Sequence, residues 1–311
     1  MLRKTKPSAM FLILAILSIV TDNCDARHAT RRVHDTTIED HTSHNHSKKP
    51  LRVNEGIEVR EGEFPYVVLL IEIRYRYAVF RRECTGSILS EEWTISAAHC
   101  FRQDGNISVW YGKFTESPLD THQHAPILKH FPHPSFSSID TLKLKRGANG
   151  YNHDICLLQT SRIERMVYGK LSVIDHKTVY GVAVTYVGGG MTSLKYHENM
   201  QEAPLQFAEA LINKCDGTIA PHIDDNMICI KPKDSEALAR LLPGDNGGPL
   251  IFGTRIIGIA GVYVRDETLD GPYFYFTPVR PYMTWISNTI KRMSTTTKAS
   301  REAPSARCNC T

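Results

Sequence analysis

Short apolar segments rich in β-branched residues, each bounded by turn residues, limit the fold of this 311-residue chain more than any other feature. They occur at residues 64–71, 86–89, 93–98, 155–158, 182–187 and 256–260. Runs of about four to eight such residues at this spacing are typical of an all-β sandwich or barrel. One helix is predicted as well, over residues 281–293, because large apolar side chains recur there on one face.

Three stretches that adjoin these apolar segments carry groups with catalytic chemistry. His99 directly follows the segment 94–98, and Asp154 precedes the run of residues 155–158. Residues 243–250 form a glycine-rich turn whose backbone N–H groups can bind an anion. Acyl transfer needs a nucleophile, an imidazole that takes its proton, and a carboxylate that orients the imidazole. The histidine, the aspartate and the turn are therefore candidates for such a site.

In their order along the chain, these three stretches resemble the chymotrypsin-like serine proteases. The resemblance covers residues 53–293 and includes the segments 187–192 and 282–286. It implies an all-β fold of two packed antiparallel six-stranded Greek-key barrels with a C-terminal helix. It also implies two disulfides, Cys84–Cys100 and Cys215–Cys229.

The nucleophile position departs from this family. His99 and Asp154 match two catalytic positions, whereas the third, a serine in the family, is Asn246. A carboxamide has no hydroxyl to ionise, so it cannot form an acyl-enzyme. We therefore expect a degenerate triad without meaningful peptidase activity, with Gly244 and Asn246 at the oxyanion-hole-like positions. With the serine absent, a role of His99 and Asp154 as fold supports is favoured over a chemical role.

Other positions of the resemblance depart as well. The serine that supports the triad aspartate in the family aligns with Gly261, and the cysteine before the glycine-rich turn is replaced by Leu242. The specificity-pocket positions align with Arg240, Tyr263 and Phe274. Two aromatic rings there are expected to fill the pocket, and Arg240 at its floor excludes basic side chains.

An activation site is also implied by the resemblance. Arg52 and Val53 are followed twelve residues later by Pro65, as in the family. Cleavage there frees an α-amino group that pairs with the aspartate before the nucleophile, here Asp245. An α-amino group with a pKa of about 8 is mostly charged at neutral pH. We hypothesise that cleavage after Arg52 switches the shape of the domain; the alternative is a vestigial, uncut site.

The two ends of the chain lie outside this resemblance. Residues 1–26 combine a basic start, an apolar run over residues 9–20 and small residues before a cut, which predicts a signal peptide and secretion. Residues 27–52 are polar and histidine-containing, and we expect a flexible segment. Residues 294–311 are expected to be a disordered tail.

Charge and apolar content exclude two classes of partner. The net charge of +4, from 37 basic and 33 acidic residues, is too close to balance for a nucleic-acid binder, and residues 53–293 carry 25 basic and 27 acidic residues. The apolar run near the amino terminus is shorter than the about 20 residues that span a bilayer, so no membrane partner is expected.

No metal or other cofactor is predicted, because His41, His44 and His46 lie in a flexible segment without fixed geometry.

Cysteines and acceptor asparagines are expected to have structural roles. Cys156 lies in an apolar run, which favours a core thiol over a substitute nucleophile. Cys308 and Cys310 are expected to form a local or interchain disulfide. Asn106 is the favoured glycosylation acceptor among three short motifs.

Two loops are candidates for contacts with a partner, and each competes with the alternative of a merely solvated surface. One is the residue 137–152 insertion. The other combines arginines with aromatic residues: Arg74, Tyr75, Arg76, Tyr77, Phe80, Arg81 and Arg82. Arginine and tyrosine are frequent anchors in interfaces.

Together these features predict a secreted, non-catalytic serine protease homologue that binds other proteins as a cofactor, decoy or regulator in an extracellular proteolytic cascade. Its expected partners are extracellular proteins, namely proteases or their substrates, and an activating trypsin-like protease. Two alternatives remain: an active hydrolase with atypical specificity, and a matrix component held by its tail cysteines.

Overall fold

The computed structural model describes residues 56–101, 106–138, 151–190, 202–215, 227–233, 241, 244–264 and 273–302. The strands within them are β1 (Ile57–Glu58), β2 (Val67–Arg74), β3 (Val79–Ser90), β4 (Trp93–Ser96), β5 (Ile107–Trp110), β6 (His124–Pro132), β7 (Ser137–Ser138), β8 (Tyr151–Asn152), β9 (Cys156–Thr160), β10 (Ala183–Gly188), β11 (Gln206–Asn213), β12 (Ile228–Pro232), β13 (Pro249–Phe252), β14 (Arg255–Val264) and β15 (Tyr273–Pro278). The α-helices are α1 (Pro118–Thr121) and α2 (Met283–Glu302).

Most strands belong to one of two barrels. The first barrel is closed, with the strand order β2-β3-β4-β9-β6-β5. In the second sheet the order is β1-β11-β10-β13-β14-β15-β12, and an additional pairing of β11 with β12 closes its last six strands into a ring. All pairings within both barrels are antiparallel. The predicted fold of two six-stranded antiparallel barrels is therefore confirmed.

The apolar segments form strands that are buried on both faces. Strand β2 shows this best, because Val68, Leu69, Leu70 and Ile71 are all fully buried. One face of β2 lies in the interior of the first barrel, and the other packs against the second barrel. A Cβ atom on Gly189 would clash with the Leu69 side chain, so glycine at position 189 permits this close approach.

The C-terminal helix is longer than its apolar pattern predicts. After a 3-10 turn over Arg280–Tyr282, α2 continues to Glu302, so the boundary placed at residue 293 and the expected disorder of residues 294–302 are corrected. The hydroxyls of Ser294 and Thr295 donate to carbonyls four residues earlier, at 2.9 Å each. These bonds satisfy the two hydroxyls within the helix, past its apolar face. Among the described residues, no helix has the length and apolar character needed to cross a membrane.

Candidate functional site

His99 and Asp154 leave neighbouring strands of the first barrel at the same end. Strand β4 runs into a 3-10 turn, Ala98–Cys100, which contains His99. Asp154 lies two residues before β9, and β9 pairs with β4 so that Cys156 lies opposite Ser96. Sheet register thus brings together two residues that are 55 positions apart in the chain.

The histidine and the aspartate form a two-point contact. The fully buried Asp154 carboxylate accepts from the His99 backbone N–H at 2.9 Å through Oδ1 and from the ring Nδ1 at 2.6 Å through Oδ2. A carboxylate oxygen can only accept, so Nδ1 donates in this contact, and Nε2 is the ring nitrogen that does not bind Asp154. Burial raises the pKa of the nearby Tyr282 hydroxyl to about 12, and the negative charge of Asp154 adds to this effect.

The glycine-rich turn surrounds a second buried carboxylate, that of Asp245. Its Oδ1 accepts the Gly190 N–H at 2.7 Å, and a Cβ on Gly188 would clash with the same carboxylate. Gly244 has φ +99°, a left-handed conformation that favours glycine, and a Cβ there would lie 2.7 Å from Gly190 Cα. Glycines on both sides therefore let the two segments close around the Asp245 carboxylate.

Strand β3 attaches this turn to the strand end that carries His99. The Thr85 backbone N–H donates to the Asn246 carbonyl at 2.7 Å, and the Thr85 hydroxyl donates to the Gly244 carbonyl at 2.8 Å. The Ser96 hydroxyl donates to the Thr85 carbonyl at 2.8 Å. The peptide of Asn246 is therefore held beside the 3-10 turn of His99.

One group of potential metal-ligating atoms lies beside the site. Within the described residues, Cys84, His99 and Cys100 place such atoms within 4.8 Å of one another. Both sulfurs belong to the Cys84–Cys100 disulfide, so neither is a thiolate that could bind a metal. The implied disulfides, this one and Cys215–Cys229, are both formed.

Comparison with known proteins assigns the family. A family model described as Trypsin matches residues 53–286. The chain belongs to the trypsin-like serine protease family. Coagulation factor IX of Oryctolagus cuniculus is 26% identical over 250 residues, which cover 75% of this chain and 83% of that protein. Prostatic glandular kallikrein-6 of Rattus norvegicus is 29% identical over 251 residues, which cover 77% of this chain and 90% of that protein.

A solved structure shows the same fold. Neuropsin, a serine protease expressed in the limbic system of mouse brain, matches with a TM-score of 0.60 over 76% of this chain and 99% of that chain. The sequence identity is 22%, so this likeness concerns the fold alone. The likeness supports the two-barrel fold.

Of the specificity-pocket positions, Phe274 is the one whose side chain the structure describes. It is fully buried in the core of the second trypsin-like barrel, with its ring centroid 6.1 Å from that of Tyr186. The backbone of Phe274 pairs with that of Tyr263, so the two positions are direct neighbours on β14 and β15. Arg240 and the side chain of Tyr263 lie outside the described residues.

Gly261 lies beside the buried aspartate, as its alignment implies. A Cβ on Gly261 would lie 3.5 Å from Asp154 Oδ2 and 3.8 Å from the Thr277 hydroxyl oxygen, both ordinary contact distances. A serine would therefore fit here, and glycine provides no hydroxyl. Within the described residues, Thr277 Oγ1 is buried without a hydrogen-bond partner.

The remaining site positions divide between a core residue and residues that the structure does not describe. Cys156 is a free, fully buried thiol, and burial, together with the nearby Asp154 charge, raises its pKa to about 12 against an opposing backbone hydrogen bond. Arg52 and Val53 of the activation site lie outside the described residues, as do Cys308 and Cys310.

The arginine- and aromatic-rich loop is only partly a surface, which corrects the prediction. Phe80 is buried against Trp110, with ring centroids 5.2 Å apart, and Arg82 points inward. Exposed residues are 74–79, which we call the hairpin tip and which connect the ends of β2 and β3, and Arg81 farther along β3. Most of the second loop, residues 139–150, lies outside the described residues, and β7 and β8 pair at its two ends.

Sequence reasoning missed the contacts that join the two barrels at this site. Thr85 and Ser96 lie in strands that read as core, and no motif marks their hydroxyls. A cavity of about 620 Å³ was also missed; it lies between residues 58–67, 112–115 and 204–205 and includes Gln123 and Arg165. His99, Asp154 and Asn246 do not line it.

Proposed function

We propose that this chain is a secreted, non-catalytic member of the trypsin-like family that acts by binding other proteins in an extracellular proteolytic cascade. The observation that carries the proposal is Asn246, in the glycine-rich turn that Thr85 holds beside His99. Position 246 takes the place of the family's nucleophilic serine. Its carboxamide has no ionisable hydroxyl, so the Nε2 atom of His99 has no nucleophile to activate.

Two further features support the loss of catalysis. Gly261 supplies no hydroxyl beside Asp154, so the carboxylate lacks the support that a serine there provides in the family. Phe274 aligns with a specificity-pocket position and its ring is fully buried. This supports a pocket that is filled by the protein's own side chain and leaves no space for a substrate side chain. Neither feature concerns the nucleophile. A protease that had lost only its serine at position 246 would be expected to keep both the supporting hydroxyl and an open pocket.

A fluorophosphonate probe tests this proposal, since it reacts with an activated hydroxyl. The natural protein is expected to stay unlabelled, and the Asn246→Ser variant to be labelled slowly, because its His99–Asp154 pair is already formed. Adding His99→Ala to that variant should abolish the labelling. Labelling of the natural protein that disappears in a His99→Ala variant would instead establish the alternative, an active hydrolase. Asn246→Ser alone is expected to leave peptide turnover low, because the pocket stays filled.

The hairpin tip is the surface that we propose for the protein partner. Tyr75 and Tyr77 are 63% and 68% exposed, and Arg76 lies 5.9 Å from the ring of Tyr77. Exposed tyrosines beside an arginine supply apolar contact and hydrogen bonds at little entropic cost. In pull-downs from the native fluid, the double variant Tyr75→Ser/Tyr77→Ser should lose bound proteases or substrates. Val173→Ser serves as the control, because Val173 is also well exposed, at 70%, and lies outside the hairpin tip. Equal recovery by all forms would exclude the hairpin tip.

Cleavage after Arg52 is the proposed regulation. The new α-amino group at Val53 would then pair with Asp245, whose carboxylate is buried and accepts from Gly190. Amino-terminal sequencing of the secreted protein is expected to find Val53 as well as Arg27, the residue that follows the signal peptide. Arg27 alone would exclude the switch.

Asn106, which is exposed, is proposed as a glycosylation site. The same preparation tests this proposal by a shift in mass after deglycosylation.

A further inference from the structure

Arg82 lies at the junction of the two barrels, although its sequence context predicts a surface residue. Its guanidinium donates to three backbone carbonyls, those of Gly189 at 3.1 Å, Phe114 at 3.0 Å and Ala203 at 2.8 Å. Its Cζ atom lies 4.8 Å from the ring centroid of Trp110. A guanidinium has five N–H donors in one rigid plane, so a single side chain can hold several carbonyls in fixed positions.

The three carbonyls belong to separate segments. Phe114 lies in the connection between β5 and β6 of the first barrel, whereas Gly189 follows β10 and Ala203 precedes β11 in the second. The bonds to Gly189 and Ala203 span 107 and 121 residues of sequence. Local structure cannot make such bonds, so Arg82 fixes the position of the second-barrel segments relative to the first barrel.

The segment of residues 188–190 is one wall of the Asp245 cradle. The Gly190 N–H donates to the Asp245 carboxylate at 2.7 Å. The Gly189 N–H donates at 3.1 Å to the Thr85 hydroxyl, which in turn donates to the Gly244 carbonyl at 2.8 Å. A displacement of Gly189 would therefore be passed to Gly244 through Thr85 and to Asp245 through Gly190.

We infer that Arg82 is a positioning residue for the glycine-rich turn. It holds the carbonyl of Gly189, and the amides of Gly189 and Gly190 hold residues 244–246 beside His99. Glycines lack the side-chain packing that keeps other segments in place, so the 188–190 segment needs such an external clamp. Arg82 acts through this segment and is not itself a catalytic residue.

Amide hydrogen exchange, compared between the natural protein and Arg82 variants, tests the inference. This measurement does not require the protein to be an active enzyme. Arg82→Met keeps the apolar stem over Trp110 and removes all donors. We expect Gly189 and Gly190 to exchange about tenfold faster in it, since the loss of charge-assisted hydrogen bonds frees the segment. Arg82→Lys, which keeps the charge and a single donor group, should give a smaller acceleration. Amides of strand β4 should keep their rates.

Arg165→Met is the matched control. The Arg165 guanidinium also donates to a backbone carbonyl, that of Pro65 at 3.3 Å, and lies 5.7 Å from the ring of Tyr111. Its described contacts lie away from residues 188–190, so the exchange of Gly189 and Gly190 should not change. Equal acceleration of every amide in Arg82→Met, or none at Gly189 and Gly190, would overturn the inference.

A second measurement links the clamp to the site and rests on the proposed function. In the Asn246→Ser background, Arg82→Met should slow fluorophosphonate labelling about tenfold, whereas Arg165→Met should not. If Asn246→Ser itself is not labelled, the proposed site geometry fails, and the exchange rates still decide the role of Arg82. If it is labelled equally with and without Arg82, positioning by Arg82 is refuted.

Discussion

Replacing Phe274 by alanine tests whether this ring fills the second barrel. Phe274 is 0% exposed and packs in a cluster that includes Tyr186 and Phe276. Truncation of a fully buried phenylalanine costs about 3–5 kcal/mol, because apolar contacts are lost and a cavity remains. In a domain of about 240 residues, each kcal/mol lowers Tm by about 2–4 °C, so the expected fall in Tm is about 6–20 °C.

Thermal unfolding followed by circular dichroism measures this change, and an apolar ligand gives an independent readout. Dry cavities lined by apolar side chains bind small aromatic molecules. Benzene should therefore raise the Tm of Phe274→Ala and leave that of the natural protein unchanged. Tyr75→Ala, at an exposed position, should stay within about 0.5 kcal/mol of the natural protein. A fall of less than about 2 °C for Phe274→Ala would refute the packing of this ring in the core of the second barrel.

Three further predictions concern pH, the framework disulfide and the core thiol. Burial lowers the pKa of His133, with His153 adding to the effect, and burial also lowers the pKa of His176, so the folded state binds fewer protons than the unfolded state. Stability should thus be complete above about pH 6.5 and fall as the pH drops below it, and urea unfolding at several pH values should show a weaker loss in His133→Phe. The Cys84–Cys100 disulfide closes a loop with a sequence separation of 16, so the double alanine variant should lose about 3 kcal/mol in urea unfolding. Cys156, with a pKa raised to about 12 by burial, should resist iodoacetamide until the chain unfolds, and rapid alkylation of folded protein would contradict its core placement.

The described part of the site keeps its two hydrogen-bonded carboxylates. The 2.6 Å contact of His99 with Asp154 and the cradle of Asp245 both persist with asparagine at position 246. A hydrogen-bonded carboxylate is costly to leave unpaired in the core, so these polar contacts contribute to stability whether or not the site performs chemistry. These contacts therefore explain the site geometry whether or not position 246 takes part in catalysis.

The sequence by itself predicted six of the strands (β2, β3, β4, β9, β10 and β14) and the order of the site residues, and the family resemblance implied the two disulfides. Runs of apolar residues are local signals, and the order of His99, Asp154 and the glycine-rich turn along the chain was sufficient for the family resemblance. The same reasoning aligned Gly261 with the residue that supports the triad aspartate, and a Cβ atom on Gly261 would lie 3.5 Å from Asp154 Oδ2. The alignment of Phe274 with the specificity pocket stays a prediction.

Only the tertiary structure decided which polar side chains hold the site together. Arg82 appears in the sequence as one more basic residue beside aromatic residues, yet its donors bind carbonyls more than 100 residues away. Thr85 likewise appears as an ordinary strand residue, although its hydroxyl joins Gly189 to Gly244. The end of α2 was also misplaced, because the helix continues past its apolar pattern to Glu302. Periodicity records which face of an element is buried, whereas the partner of a polar group depends on how the two barrels pack.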